Sequence, residues 1–132
     1  MMIDILNVLN KELNKLKLNY EFGEYTKKIQ YPYIVGDYIE NPINKECAEK
    51  SGTIILSIFT RDRKENNIEV KGNRLELEEI GEKIENYFKH FVSCINGNTV
   101  SIEYEYRTPV DTEDEVLKRI DIYLNVSKWE GK

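Results

Sequence analysis

Residues 67–80, NIEVKGNRLELEEI, contain a spacing that also occurs in metal-dependent nucleases, in which Glu69 and Lys71 end a predicted strand. In such a site the glutamate and a second carboxylate bind a divalent cation, and the lysine orients the attacking water. Asp37 and Asp62 are the carboxylates that the chain offers as the second ligand. Because a three-residue pattern recurs often by chance, we favour a structural role for Glu69 and Lys71 and keep the nuclease as the alternative.

Other residues of chemical interest do not form a recognisable catalytic or metal-binding pattern. An acidic cluster comprises Asp111, Glu113, Asp114 and Glu115. It lacks the alternating ligands, the central glycine and the terminal glutamate of a calcium loop. His90 is the only histidine, which excludes a site built on several histidines. No G-x-S-x-G, P-loop or G-x-G-x-x-G motif is present. We therefore predict no catalytic, cofactor-binding or metal-binding residues.

The two cysteines, Cys47 and Cys94, are far apart and do not belong to a C-x-x-C pair. In a reducing compartment this arrangement predicts two free thiols and no disulfide. Cys94 follows the apolar face of a predicted helix and is expected to be packed. Cys47 lies in a polar segment, where an exposed thiol would be the more reactive of the two.

Size and composition predict a single domain over residues 1–132. The net charge of −5 argues against a surface that coats nucleic acid, which requires a positive field. No run is apolar for long enough to cross a bilayer, and the N-terminus lacks the pattern of a signal peptide. We therefore expect an intracellular protein.

The first half of the chain predicts one helix followed by strands. Apolar residues recur at helical spacing within a predicted helix over residues 2–17: Ile3, Leu6, Leu9, Leu13 and Leu16. Pro32 precedes a predicted strand at residues 33–39, where it suits a strand start or edge. Residues 53–59, TIILSIF, are apolar on both sides, which is typical of a central strand covered on two faces.

The second half predicts a capped helix and two alternating strands. Asn73 is a good N-cap with Glu76 three residues later, and the helix is expected to run to about Ser93. In residues 99–106, one face is predicted to contain Val100, Ile102, Tyr104 and Tyr106. Residues 119–126 alternate in the same way. The predicted fold is α+β, with a mostly antiparallel sheet of four to five strands and two amphipathic helices packed on it.

Aromatic side chains are frequent, with nine tyrosines and one tryptophan in 132 residues. Tyrosine, tryptophan and arginine supply much of the binding energy in protein interfaces. Tyr123 is predicted to point away from its apolar neighbours Ile122 and Leu124. A second apolar surface on a protein with one domain indicates that another protein packs there.

Several short sequence segments occur in a defined order along the chain. After the first helix the chain contains FGEY (22–25), YPYIVGDYIE (31–40), IFTRDR (58–63), IEVKGN (68–73) and EYRTPVDTEDEVLKRIDIYLNVSKW (105–129). Over most of its length the chain thereby resembles the small tail terminator proteins of long-tailed bacteriophages and prophages, also called tail completion or head–tail joining proteins. The resemblance implies a subunit without enzymatic activity or cofactor.

The resemblance further implies a ring, typically a hexamer, at the head-proximal end of the tail tube. There the ring stops polymerisation of the tube and offers a surface to the head connector. The implied partners are further copies of the chain, the tail-tube protein and the connector, with no membrane and no sequence-specific nucleic acid. The implied location is the host cytoplasm during assembly and then the virion tail.

Interface residues are expected in two loops and on the last strand: Arg61, Arg63, Asp111, Glu113, Asp114, Glu115, Tyr123 and Trp129. The first loop is basic and the second is acidic. Their opposite charges are expected to pair between neighbours in a ring, as a head-to-tail contact that closes by rotation.

Overall fold

A computed structural model describes residues 2–24, 26–41 and 49–129 of the chain. The helices are α1 (Met2–Lys15) and α2 (Arg74–Tyr87). The strands are β1 (Tyr20–Phe22), β2 (Tyr33–Glu40), β3 (Glu49–Thr60), β4 (Arg63–Glu65), β5 (Ile68–Val70), β6 (Phe91–Ile95), β7 (Asn98–Val110) and β8 (Lys118–Trp129). Among the described residues, no helix is both long enough and apolar enough to cross a lipid bilayer.

Six strands form one sheet in the order β1-β2-β3-β8-β7-β6, and β4 pairs with β5 in a separate hairpin. Strand β1 runs parallel to β2, whereas the other neighbours in the large sheet are antiparallel. The predicted sheet of four to five mostly antiparallel strands is therefore wrong, because the sheet is mixed and has six strands. The chain remains α+β, with the N-terminal helix preceding a parallel edge strand.

Strand β6 is the element that the sequence prediction assigned wrongly. Helix α2 begins as predicted, since the Asn73 side chain accepts a hydrogen bond from the Glu76 N–H at 3.1 Å. It ends at Tyr87, six residues before the predicted end at Ser93. The Phe88 carbonyl then accepts a hydrogen bond from the Tyr104 N–H at 2.8 Å, which joins the helix end to β7. The apolar residues of β6 suited both structures, and the Asn-Gly signal that we assigned to a helix end closes a hairpin.

Both helices pack on one face of the large sheet, where they form a single core. Its fully buried side chains include Leu9 and Leu13 from α1, Leu77 and Ile84 from α2, and Phe88. The sheet contributes Ile34, Ile54, Leu56, Ile58, Val100, Ile102, Ile120, Ile122, Leu124 and Val126. These residues recur at every second position of their strands, so the remaining positions point to the opposite face.

Polar contacts hold α1 in place within this layer. Glu12 is buried and accepts a hydrogen bond from the Tyr87 hydroxyl of α2. Burial alone would raise the pKa of Glu12, but the bonds from Tyr87 and Lys15 outweigh it and hold that pKa below its ordinary value. The same bond to Glu12 raises the pKa of Tyr87 to about 12. At the start of α1, Asp4 pairs with the buried Lys128 at 2.9 Å.

Candidate functional site

The face of the large sheet opposite the helices, called here the helix-free face, is the most extensive surface of interest. It presents Tyr33, Val35, Asp37, Ile39, Thr53, Ile55, Ser57, Phe59, Ser101, Glu103, Tyr106, Thr108, Arg119, Asp121, Tyr123, Asn125, Ser127 and Trp129. None of these side chains belongs to the helix-packed core. Several are apolar and well exposed, with Ile39 at 55% and Tyr106 at 48% of full exposure. The face therefore combines exposed aromatic and aliphatic side chains with polar ones, among them the buried Asp121, to which Arg119 donates at 2.9 and 3.0 Å, and no described helix covers it.

A pair of stacked tyrosines lies on the helix-free face. The rings of Tyr106 and Tyr123 are 4.5 Å apart between centroids and only 10° from parallel. Simple alternation predicted Tyr106 on the same face as Tyr104, but a bulge between them shifts the register of β7 against β8. Tyr104 therefore lies opposite the core residue Leu124, whereas Tyr106 lies opposite Tyr123. A bulge of this kind re-aims the side chains that follow it.

Because of the same bulge, Arg107 faces the helices. Its guanidinium donates to Glu78 at 2.9 Å and to Glu85 at 2.8 Å, both on α2. It also donates to the Tyr104 hydroxyl at 3.0 Å. These charge-assisted bonds fix the register of β7 beyond the bulge against α2. The bonds from Arg107 to α2 therefore also keep the adjacent Tyr106 on the helix-free face.

A second aromatic group occupies the β2–β3 side of the helix-free face. The Tyr33 ring stacks on Phe59 at 5.0 Å and lies 5.5 Å from Tyr31. The Arg119 guanidinium lies 5.3 Å from the centroid of Phe59, and that of Arg61 lies 5.9 Å from the centroid of Tyr31. Each separation is within the range of a cation–π interaction. The group borders a cleft of about 410 Å³. Aromatic rings with arginine are the residue types that dominate interface energies.

Arg63 does not lie on a free surface, in contrast to the exposed Arg61. Its guanidinium donates to both carboxylate oxygens of Glu76, at 3.0 and 2.8 Å, and to Glu65 at 2.9 Å. The Thr60 hydroxyl donates to the same Glu76 carboxylate. Burial would raise the pKa of Glu76, but the bonds from Arg63 and Thr60 outweigh it and lower that pKa. Arg63 thus joins β4 to the first turn of α2.

This cluster makes stability depend on pH through Glu76. A carboxyl whose pKa is lower in the folded than in the unfolded chain stabilises the fold above its unfolded pKa, and the stabilisation is lost as pH falls through the folded pKa. We expect Glu76→Gln to cost about 1.5–3 kcal/mol of unfolding free energy at pH 7. The cost should shrink steadily below the ordinary pKa of 4.5. Urea titrations of both proteins at several pH values measure it, and a cost unchanged at low pH would contradict the assignment.

The acidic loop between β7 and β8 is ordered by Asp114. Its carboxylate accepts a hydrogen bond from the Val116 N–H at 3.1 Å, and its carbonyl accepts one from the Thr112 hydroxyl at 2.6 Å. The side chains of Asp111, Glu113 and Glu115 are exposed. Asp114 therefore shapes the loop while its acidic neighbours project outward.

The acidic loop and the loop of Arg61 lie at the same end of the sheet, because Thr60 at the end of β3 pairs with Lys118 at the start of β8. Trp129 lies at the other end of β8, 41% exposed. Charge pairing between neighbouring copies stays a prediction. Because both loops lie at the end of the sheet where β3 ends and β8 begins, such pairing would have to be made at that end.

Of the two carboxylates that the nuclease alternative offers beside Glu69, Asp37 lies in the other sheet, whereas Asp62 lies near Lys71. Glu69 is exposed on β5 opposite Lys64, and Asp37 is on β2. Lys71 lies 3.9 Å from Asp62, whose carboxylate instead accepts the Gly72 N–H at 2.8 Å. Within the described ranges, no group of three histidine, cysteine, aspartate or glutamate side chains is placed to hold a metal ion. No observation here favours a nuclease.

The cysteine predictions have different outcomes. Cys94 is exposed on β6, not packed against a helix, because residues 91–95 form an edge strand. Cys47 lies outside the described residues.

One pattern in the sequence could have revealed the helix-free face. The apolar residues at both odd and even positions of β3 indicated that this strand has a second apolar side.

Comparison with known proteins adds no assignment, since no protein-family model matches the chain and no curated protein matches it significantly.

Proposed function

We propose that this chain is the tail terminator subunit of a long-tailed bacteriophage or prophage. In this role its copies close into a ring, with six copies expected, at the head-proximal end of the tail tube. The ring ends polymerisation of the tube and binds the head connector. The chain works in the host cytoplasm during assembly and then in the virion tail, and it carries out no bond-breaking reaction.

The observation that supports this role most is the difference in burial between the two apolar faces of β3. Ile54, Leu56 and Ile58 are fully buried beneath the helices. Ile55 and Phe59, on the other side of the same strand, are only half-buried and lie on the helix-free face. A strand with apolar side chains on both faces is typical of a sheet covered on both sides. We therefore expect a second protein chain to pack on the helix-free face.

The composition of the helix-free face suits contact with protein. The stacked Tyr106 and Tyr123 lie on the two strands beyond Ile55, and farther along β8 the Arg119 guanidinium, which pairs with Asp121, lies over the Phe59 ring. Rigid aromatic side chains lose little conformational entropy on binding and bury a large area. The acidic loop adjoins this face at one end and supplies the charge that can orient a neighbour.

Tube length tests the function itself. The tail-tube protein of the phage or prophage that encodes this chain is polymerised with and without the purified chain. We expect a small molar fraction of the chain to shorten the tubes, because one ring caps each tube at one end. Electron microscopy with a gold-labelled chain should place the label at a single end. Tubes of unchanged length with no label at either end would contradict the proposed function.

A further inference from the structure

Strand β6 is an edge of the large sheet that no other strand of the described chain covers. Its sequence, FVSCI, contains no charge and no proline, and it pairs only with β7. Val92 is 63% exposed. Proteins usually guard such an edge with charges, prolines, bulges or very short strands, because its unpaired backbone groups readily accept another strand. The opposite edge has such guards, since β1 has three residues and the part of β2 beyond it contains Asp37 and Glu40.

The β6–β7 turn determines which backbone groups face outward. Ile95 pairs with Asn98 across the two-residue turn Asn96-Gly97, whose φ angles of 52° and 78° are positive. In a hairpin with such a turn, the residues flanking the turn exchange both backbone hydrogen bonds, and the pattern then alternates along the strands. Phe91, Ser93 and Ile95 therefore bond toward β7. The N–H and C=O groups of Val92 and Cys94 point away from the sheet.

We propose that β6 pairs antiparallel with β6 of a second copy of this chain, across a two-fold axis at Ser93. In this register Val92 lies opposite Cys94 of the partner and forms a hydrogen-bonded pair with it, which gives about four backbone hydrogen bonds in total. Phe91 lies opposite Ile95 on the helix side. The axis is perpendicular to the sheet, so the helix layers and the helix-free faces of the two copies are continuous.

Self-pairing of β6 agrees with the charges along the strand and beyond it. In the proposed register His90 lies opposite Asn96 and Lys89 lies opposite Gly97, so no like charges face one another. Pairing of β6 with the open part of β2 would instead place Asp37 against the apolar residues of β6. At the same edge the start of α1 approaches the β6–β7 turn, where Asp4 contacts Asn98 at 3.2 Å, and the adjacent Ile3 is 54% exposed. A second copy is therefore the partner that this edge fits.

This contact is independent of the proposed function. It uses the sheet edge, whereas the ring uses the helix-free face and the loops at one end. The edge contact is also isologous, with the same residues on both sides, while a ring contact joins two different surfaces. Either contact can therefore be removed while the other is measured.

Disulfide trapping tests the proposed register. In a Cys47→Ser, Cys94→Ser background, Ser93→Cys places two thiols opposite each other at a pair without backbone hydrogen bonds. The Cα atoms at such a pair are about 4.5 Å apart, which is within the range of a disulfide. The control is Ser101→Cys on β7, whose two copies would lie three strand spacings apart, or roughly 14 Å. We expect oxidation to give a reducible dimer with Ser93→Cys and none with Ser101→Cys.

The other trapping outcomes overturn the edge contact. A dimer that forms with Ser101→Cys but not with Ser93→Cys would place the helix-free faces together and leave the proposed function standing. Absence of a dimer with both variants would also reject the pairing of β6 with itself.

A second variant removes the contact without relying on thiols. Val92→Pro eliminates an outward N–H and leaves the β6–β7 ladder intact, because Val92 does not bond toward β7. We expect the mass measured by light scattering to fall about twofold, with the far-ultraviolet circular dichroism unchanged. Val92→Thr keeps the N–H and the side-chain shape, and should keep the wild-type mass. Equal masses for the two variants would overturn the proposed edge contact.

Discussion

Tyr123→Glu is expected to break the assembled protein into smaller species while each chain stays folded. Tyr123 lies near the middle of the helix-free face, between Ile55 on β3 and its stacked partner Tyr106 on β7. A carboxylate there would lose its water in the contact and find no opposite charge beside it on the neighbouring strands. Burying such an unpaired charge is strongly unfavourable. Within one chain the loss is only the stacking, about 1 kcal/mol.

The size of the effect follows from the position of Tyr123. A central aromatic residue typically contributes about 2 kcal/mol or more to an interface, which corresponds to roughly thirtyfold in affinity per contact. The loss would recur at every contact of the proposed ring, so sedimentation velocity should show a clear shift to small species. Tyr123→Phe keeps the ring stack and should sediment as the wild type. If Tyr123→Glu sedimented as the wild type too, Tyr123 would lie outside the interface.

Phe88→Ala is expected to lower the free energy of unfolding by about 3–5 kcal/mol, enough to unfold a marginal domain. The Phe88 side chain is fully buried and meets Tyr87 and Phe91 edge-to-face, with centroids at 5.0 and 5.5 Å. Its backbone ends α2 and bonds to Tyr104 of β7. Removal of the ring leaves a cavity where the helix, β6 and β7 meet.

Urea denaturation monitored by circular dichroism measures this loss. Phe88→Leu fills most of the same space and should cost only about 1–2 kcal/mol. Phe91→Ala is a second comparison, because the half-buried Phe91 ring packs against Tyr87 and Phe88 and its removal is expected to leave a smaller void. A loss for Phe88→Ala no greater than that for Phe91→Ala would show that the helix end is not packed as described.

Local signals in the sequence predicted several elements, because those elements depend on neighbouring residues. The spacing of Leu9 and Leu13 predicted α1, and the Asn73 cap predicted the start of α2. The end of α2 depends on a contact from Phe88 to Tyr104, sixteen residues away, which no local pattern contains. The parallel pairing of β1 with β2 is likewise a long-range choice. These non-local contacts explain why the strand number and the mixed sheet were missed.

The candidate interface was predictable only in part. Alternation in β8 correctly placed Tyr123 on the face opposite Ile122 and Leu124. The side of Tyr106 was missed because the bulge in β7 arises from the pairing of two strands and leaves no trace in the alternation. Arg63 was expected in an interface, but Glu76 and Glu65 bind it within the chain. A charged residue in a loop has no periodicity that reveals its partner. Its interface role stays a prediction, as do those of the other named residues.

The mass of the wild-type chain in solution tests most directly whether the helix-free face binds further copies. Light scattering across a dilution series, with native mass spectrometry of the same samples, gives the number of chains in each species. The proposed ring predicts a closed oligomer that persists on dilution, with six chains expected in Val92→Pro, which lacks the β6 contact, and twelve in the wild type, where that contact joins two rings. A chain that remains a monomer at the highest concentration, and that also fails to assemble when tail-tube protein is added, would contradict it.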